Sequence, residues 1–191
     1  MGKSPRDRKD GAAARNRVRA NGTLPPEPGA DKPLDGPAGL RALAGDWVAA
    51  GDASAIEALP TAPGAYLLVL RVPDPVAPPP RFVARARADL PPGWLVYAGS
   101  ARGPGGLRAR LRRHLRPDKA RRWHVDWLTT APGVRVWAGP VPGGDECALM
   151  ASVLALPGAT VPVPGFGSSD CPRCPAHLAA LPERAGPDAP R

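Results

Sequence analysis

The run GAYLLVLRV at residues 64–72 constrains this chain more than any other feature. It is almost continuously apolar, it follows an Ala-Pro-Gly segment, and the proline-rich stretch PDPVAPPP ends it, so it is read as a buried strand of about eight residues. GWLVYAGS at 93–100 is a second strand, closed by glycine, and GVRVWAGPV at 133–141 is a third, with period-two alternation of Val134, Val136 and Ala138. Between the first two, RFVARARADL alternates and is expected as an exposed hairpin arm. GLRARLRRHL at 106–115 reads as a helix stopped by Pro117, KARRWHVDWLTTA at 119–131 as a second, and GDECALMASVLAL at 144–156 as a third. The order strand, strand, helix, helix, strand, helix argues a small α/β sandwich with a short sheet flanked by helices.

The ends are of a different character. Proline and glycine, 28 and 22 residues of 191, exceed a quarter of the chain and concentrate towards the termini. Residues 1–36 hold too few large apolar side chains to offset the entropy of ordering and are expected as a disordered basic tail. Residues 37–62 are expected as a linker or short leading helix over 38–58, residues 63–181 as the folded domain, and residues 182–191 as a second disordered tail. No apolar span of about 20 residues occurs, and the arginines near the start precede no signal-peptide core, so a cytoplasmic protein without a membrane partner is expected. Three cysteines make no even disulfide framework, which suits a reducing compartment.

The net charge of +9 is concentrated in one place. Residues 101–122 carry nine basic side chains, Arg102, Arg108, Arg110, Arg112, Arg113, Arg116, Lys119, Arg121 and Arg122, against the single acid Asp118. A polyanion is the natural partner for such a segment, because arginines that neutralise phosphates release counterions. At 100° per residue Leu107, Leu111 and Leu115 share one face of the helix, which should rest on the sheet. Arg110 and His114 fall on the border of that face, whereas Arg113 and Arg116 should point to solvent. Arg110 is therefore the arginine best placed to reach the two tyrosines of the chain, Tyr66 and Tyr97, each two residues from a glycine at a strand edge. If the first two strands pair antiparallel, those tyrosines are neighbours.

Taken with their order, GAY at 64–66, YAG at 97–99, the arginine helix 106–115, GPGGL at 103–107, WHVD at 123–126 and PGFGSSDC at 164–171 resemble the GIY-YIG nuclease superfamily, and within it the largely uncharacterised Uri-type branch. The resemblance spans residues 63 to about 180. It implies a three-stranded antiparallel sheet and a metal-dependent endonuclease that hydrolyses phosphodiester bonds in DNA, with Mg2+ or Mn2+ as cofactor. It also implies a site formed by Tyr66, Tyr97, Arg110, His124 and Glu146, with Glu146 holding the metal. Ala65 and Ala98 replace the isoleucines usual in the tripeptides, and they should pack on the opposite face of the sheet.

Those residue types suit phosphoryl chemistry. A guanidinium such as that of Arg110 stabilises charge building on the equatorial oxygens, and a metal on Glu146 would polarise the phosphate or stabilise the leaving oxygen. The resemblance implies Tyr66 as the base, with His124 as the alternative or an orienting group, since the ordinary histidine pKa of about 6.5 lies closer to neutrality than a phenol's. Gly99 should clear room at the strand end for a phosphate. Arg108, Arg112, Arg113, Arg116, Arg121 and Arg122 would hold the nucleic-acid backbone without reading bases, so the enzyme is expected to be structure-selective or weakly sequence-specific, in DNA repair or processing, with RNA as an alternative substrate. The oligomeric state is left open.

The close of the chain offers two readings. Cys171, Cys174 and His177, with Cys147 as a fourth ligand, could hold zinc. The favoured reading is a tight loop over the site, shaped by Gly165 and Gly167, with Ser168, Ser169 and Asp170 reaching the metal or phosphate. A non-catalytic nucleic-acid-binding module built on the arginine helix and a zinc-stabilised interaction domain stand as alternative functions.

Overall fold

In the computed structural model, which describes residues 34–37, 39–86 and 89–183, the apolar run forms strand β2, Gly64–Val72, with eight of its nine residues buried. Its alternate residues serve two separate cores. Tyr66, Leu68, Leu70 and Val72 join one cluster, and Leu67 and Val69 join the other. A strand apolar on both faces is stable only when both faces are covered, and that requirement organises the rest.

Among the described residues the sheet has five strands, wholly antiparallel, in the order β1-β4-β2-β3-β5, where β1 is Val48–Ala49, β3 is Gly93–Ala101, β4 is Arg135–Pro142 and β5 is Leu178–Leu181. The expected three strands are thus the central ones. The two additions are short edge strands of two and four residues, too brief for a periodic apolar pattern to betray them. β2 and β3 pair along their whole length, with Tyr66 opposite Gly99 and Tyr97 opposite Leu68. Both tyrosines consequently project from the same face, one pleat apart.

That face is covered by helix α2, Gly106–Leu115, through Leu107, Leu111 and Leu115, and by Val125 and Leu128 of helix α3, His124–Thr129. The opposite face is covered by Met150 and Val153 of helix α4, Glu146–Leu154, together with Leu34 and Leu40. Ala98 is buried on this second face, as expected of the middle residue of its tripeptide.

Several expectations are corrected. Residues 38–58 are not one helix: they give a 3-10 turn at Leu40–Leu43, strand β1 and the short helix α1, Ala53–Ala58, capped by Asp52, whose carboxylate accepts from the Ala55 amide at 2.9 Å. Glycines at 39, 45 and 51 interrupt any longer helix. Among its described residues RFVARARADL forms no hairpin arm; it begins as a 3-10 turn at Pro80–Phe82 that buries Phe82, and of the described residues only Leu90 pairs, in an isolated bridge with Val76. The second helix begins at His124 rather than at Lys119, since Asp126 accepts from the Trp123 amide at 2.9 Å and so fixes the helix start there. Leu34, at the end of the expected N-terminal tail, is buried in the second core. The remainder of that tail up to residue 33, and residues 184–191, lie outside the described residues. No helix among the described residues is long and apolar enough to cross a membrane.

The start of α2 is held by unusual contacts. The amides of Leu107 and Arg108 donate to the carbonyls of Ala62 at 3.1 Å and Pro60 at 2.8 Å, and Gly106, with φ of 54°, comes so near the Thr61 carbonyl that a Cβ would collide with it. The first amides of the helix are therefore already engaged. Lys119 closes the other end, donating to the carbonyls of His114 at 2.6 Å and Arg116 at 2.8 Å.

Because Leu111 is fully buried between α2 and the sheet, Leu111→Ala is expected to lower unfolding stability by about 2–5 kcal/mol. Arg112, exposed and paired with the exposed Glu57, should tolerate alanine within about 0.5 kcal/mol. Denaturant titration of the two variants measures both.

Candidate functional site

Tyr66 lies across Gly99: a Cβ on that glycine would sit 2.5 Å from the Tyr66 hydroxyl. The expectation that Gly99 leaves room for a phosphate is therefore corrected, since the space it frees is taken by the phenol ring. Tyr97 has a corresponding partner, for a Cβ on Gly167 would stand 2.7 Å from its ring. Gly167 has a φ of 71°, a conformation that favours glycine for a second reason.

The Tyr66 hydroxyl is 2.9 Å from Nε2 of His114, a residue only 1 % exposed. Nδ1 of the same ring faces Asp126 Oδ1 at 3.7 Å, beyond hydrogen-bond distance, and has no partner of its own. Asp126 is fully buried. It accepts from both terminal nitrogens of Arg113, at 3.0 and 2.8 Å, and from the amides of Arg122 and Trp123, each at 2.9 Å. An anion facing Nδ1 favours the tautomer with the proton there, so Nε2 accepts and the Tyr66 hydroxyl donates. Phenol, imidazole and carboxylate thus stand in line.

The electrostatics follow from burial. Burial raises the Tyr66 pKa well above that of a free phenol, with Tyr97 adding to the effect and Arg110 opposing it. Tyr97 is pushed up to about 12 by burial and next by the charge of Glu146, again with Arg110 opposing. Burial lowers the His114 pKa, opposed by Asp126. Burial alone would raise Asp126, but His114, Arg113 and the two backbone amides outweigh it and hold the carboxyl far below the usual range.

The other expected site residues occupy distinct places. Arg110 is half-buried, with its guanidinium 4.2 Å from the centre of the Trp123 ring, and its charge acts on both phenols. Glu146 opens α4 on the far side of the sheet. It is half-buried and lines an open cleft of about 410 Å³ with Arg102, Asp145, Cys147, Asp170 and Cys171, and its charge also reaches both tyrosines. His124 sits edge-on to Phe82, ring centres 4.8 Å apart, and 6.0 Å from Phe166, which itself meets Tyr97 edge-on. It makes no hydrogen bond to a phenol among the described residues, and burial, then Arg81, lowers its pKa. His114 is the histidine that touches Tyr66. Its place four residues after Arg110 on the border of the apolar face was the only sequence sign of that role.

The arginines divide into groups. Arg113, expected in solvent, is instead held by Asp126 and stacks on Trp123 at 3.9 Å. Arg108 donates to the Leu59 carbonyl at 2.7 Å, Arg116 meets Asp118, and Arg121 donates to Thr130. Arg112 and Arg122 have exposed side chains. Together Arg108, Arg112, Arg113 and Arg116, with Thr61, Gly105 and Ala109, line a shallow basic groove of about 390 Å³.

In the closing loop Gly165 and Gly167 adopt φ of 78° and 71°, as a sharp path requires. Ser169 is exposed and Asp170 faces the cleft. The sulfur atoms of Cys147, Cys171 and Cys174 and a ring nitrogen of His177 all lie within 4.8 Å of one another.

Asp126→Asn is expected to cost about 3 kcal/mol, the lower end for a broken buried pair because Arg113 keeps 24 % exposure. The sign of the pH dependence is fixed by the depressed folded pKa: the Asp126 contribution is complete above the unfolded value of about 4 and is lost as pH falls through lower values. His114 adds acid sensitivity in a higher window, because its folded pKa is lowered and the unfolded chain takes the proton first below about pH 6.5. Thermal unfolding from pH 8 to 3 should therefore show a decline below pH 4 that is smaller in Asp126→Asn than in the native chain, the remainder coming from carboxylates such as Asp118 and Asp145 whose pKa values are also lowered, while the decline between about pH 6.5 and 4 persists.

No curated protein and no solved structure matches the chain. Residues 65–189, which include both tyrosines, Arg110, His114, His124, Asp126, Glu146 and the three cysteines, match a family model described as a domain of unknown function, DUF123. That match covers well over half of the sequence, and the chain belongs to the DUF123 family.

Proposed function

We propose that this domain is a metal-dependent endonuclease of the GIY-YIG type, hydrolysing phosphodiester bonds in DNA. One observation carries the reading: two phenols project from one face of adjacent strands, and the charges of Arg110 and Glu146 act on both of them. Such a constellation gathers a proton-bearing hydroxyl, a cation and a carboxylate from four separate elements. An ordinary core has no need of that set.

The roles follow from the environments. Both phenols have raised pKa values and burial lowers that of His114, so none of the three is a base unaided; as Tyr66 takes a proton from the attacking water it would hand its own to His114 Nε2, which Asp126 holds in the accepting tautomer, so that no free phenolate forms. Arg110 stabilises the charge that develops on the phosphoryl oxygens. Glu146 fits a hard cation, since magnesium is commonly bound by one or two carboxylates with water and phosphate oxygens completing its shell, and bound there it would supply charge neutralisation at the phosphate. Asp170 lines the same cleft. The basic groove of Arg108, Arg112, Arg113 and Arg116 contacts backbone phosphates and carries no base-reading element, which favours weak sequence preference.

A second reading is a nucleic-acid-binding module without catalysis. It is favoured by the same groove, which lies on the outer side of α2 and needs no Glu146.

The two readings part in a plasmid-nicking assay with Mg2+ or Mn2+, run beside binding measured by fluorescence anisotropy. The nuclease reading expects Arg110→Ala and Glu146→Ala each to lose at least about 10²-fold in cleavage rate while retaining binding, and His114→Gln to lose about 10²–10⁴-fold. Salt-dependent binding with no cleavage under either metal would establish the binder instead.

A further inference from the structure

We infer that Cys147, Cys171, Cys174 and His177 form a closed Cys3His zinc centre that clips the first turn of α4 to the segment leading into β5. Their four ligand atoms lie within 4.8 Å of one another, close enough for one ion to reach them all. A zinc ion with Zn–S of about 2.3 Å and Zn–N of about 2.0–2.1 Å in a tetrahedron sets its ligands roughly 3.5–3.8 Å apart. The Cys147 and Cys171 sulfurs are separated by 3.4 Å, and Cys147 Sγ lies 3.9 Å from His177 Nε2, so little movement would bring these ligands to the required spacing.

The ligand chemistry selects the metal. Three thiolates and one imidazole form a soft set suited to zinc and foreign to magnesium or calcium, which take oxygen. Four protein ligands leave no position open for water or substrate, so the centre is structural. With three thiolates it would carry a net charge of −1, and Arg102 and Arg173 line the adjoining cleft as compensation.

The backbone is prepared for this geometry. Cys147 is the second residue of α4, and Cys171 and Cys174 lie on a turn stiffened by Pro172 and Pro175. The Cys171 amide donates to the Ser168 carbonyl at 3.1 Å. The backbone of His177 is pinned on both sides, donating to the Phe166 carbonyl at 2.7 Å and accepting from the Ala98 amide at 3.0 Å. Pre-ordering of this kind reduces the entropy lost on binding.

The consequence is positional. Glu146 precedes the ligand Cys147, and Gly167, against which the Tyr97 ring packs, would place a Cβ 3.3 Å from that of His177. A metal clip here fixes two elements of the phenol site from behind. The clip itself does not depend on the nuclease reading, and its test uses no cleavage assay.

The full chain, purified under reductant without chelator, should retain about one equivalent of zinc through dialysis, measured by elemental analysis and native mass spectrometry. Cobalt exchanged into the site should give the intense visible bands of a tetrahedral thiolate complex, and His177→Gln should shift those bands while leaving cobalt bound. Cys174→Ser should lose the metal. Removing zinc with a chelator should raise amide exchange at residues 146–149 and 171–177 and leave the centre of β2 protected. The proposal is overturned if the native chain holds only substoichiometric zinc and takes up no cobalt, if Cys174→Ser binds metal as the native chain does, or if the chain purified under reductant still holds a Cys147–Cys171 disulfide.

Discussion

The carboxylate of Asp126 is the point on which the arrangement around the phenols depends. It is fully buried, and a buried charge persists only when it is paired and hydrogen-bonded. Here the partners come from two elements: the Arg113 guanidinium from α2, and the Arg122 and Trp123 amides from the approach to α3. That one residue therefore fixes the packing of α2 against α3, and it faces the ring of His114, which touches Tyr66. Trp123 is held in the same assembly, stacked beneath Arg113 and Arg110. The position of Arg110, and so its influence on both phenols, rests in turn on the seating of Trp123.

The sheet divides the labour between its faces. The first face carries the phenols, the arginine helix and the Asp126 network; the second carries α4 and the chain before β1. Glu146 belongs by sequence to the second layer. It can act on phenols of the first because α4 begins at the end of the strands, where the cleft that it lines also includes Ser100 of β3. The edge of a sheet is where groups from both layers can approach one ligand, since between the strands the backbone itself separates them.

Much of this was written in the chain. The strand within 64–72 was legible, because a long apolar run between prolines has one interpretation, and the leucines of α2 fell where a period of 3.6 puts them. That Tyr66 and Tyr97 are neighbours followed from antiparallel pairing, whereas their shared face needed the register. Other features had no local signal. LAAL at 178–181 is too short to alternate visibly and becomes a strand only because β3 offers an edge. Arg113 reads as a surface cation until Asp126, thirteen residues on, is folded against it. The wheel placed His114 at a border, and nothing in the residues said that the border would be covered. Gly99 invited a ligand in one dimension and accommodates a ring in three.

The cysteines carry the same lesson about distance in sequence. A C-x-x-C pair with one histidine close by and one cysteine twenty-four residues before it lacks the two separated ligand pairs by which zinc sites are usually read. What assembles them is the antiparallel docking of β5 on β3, which carries His177 to the level of Ala98, together with the start of α4 at the strand end. Both events are tertiary, and both also position Tyr97 and Glu146. Ligand cluster and phenol pair are thus two products of one junction, where the first turn of α4, the 165–177 loop and the end of β3 converge. A change that loosens that junction must act on both, while a change in the Asp126 network on the opposite side of the phenols reaches Tyr66 and leaves the cysteines where they are.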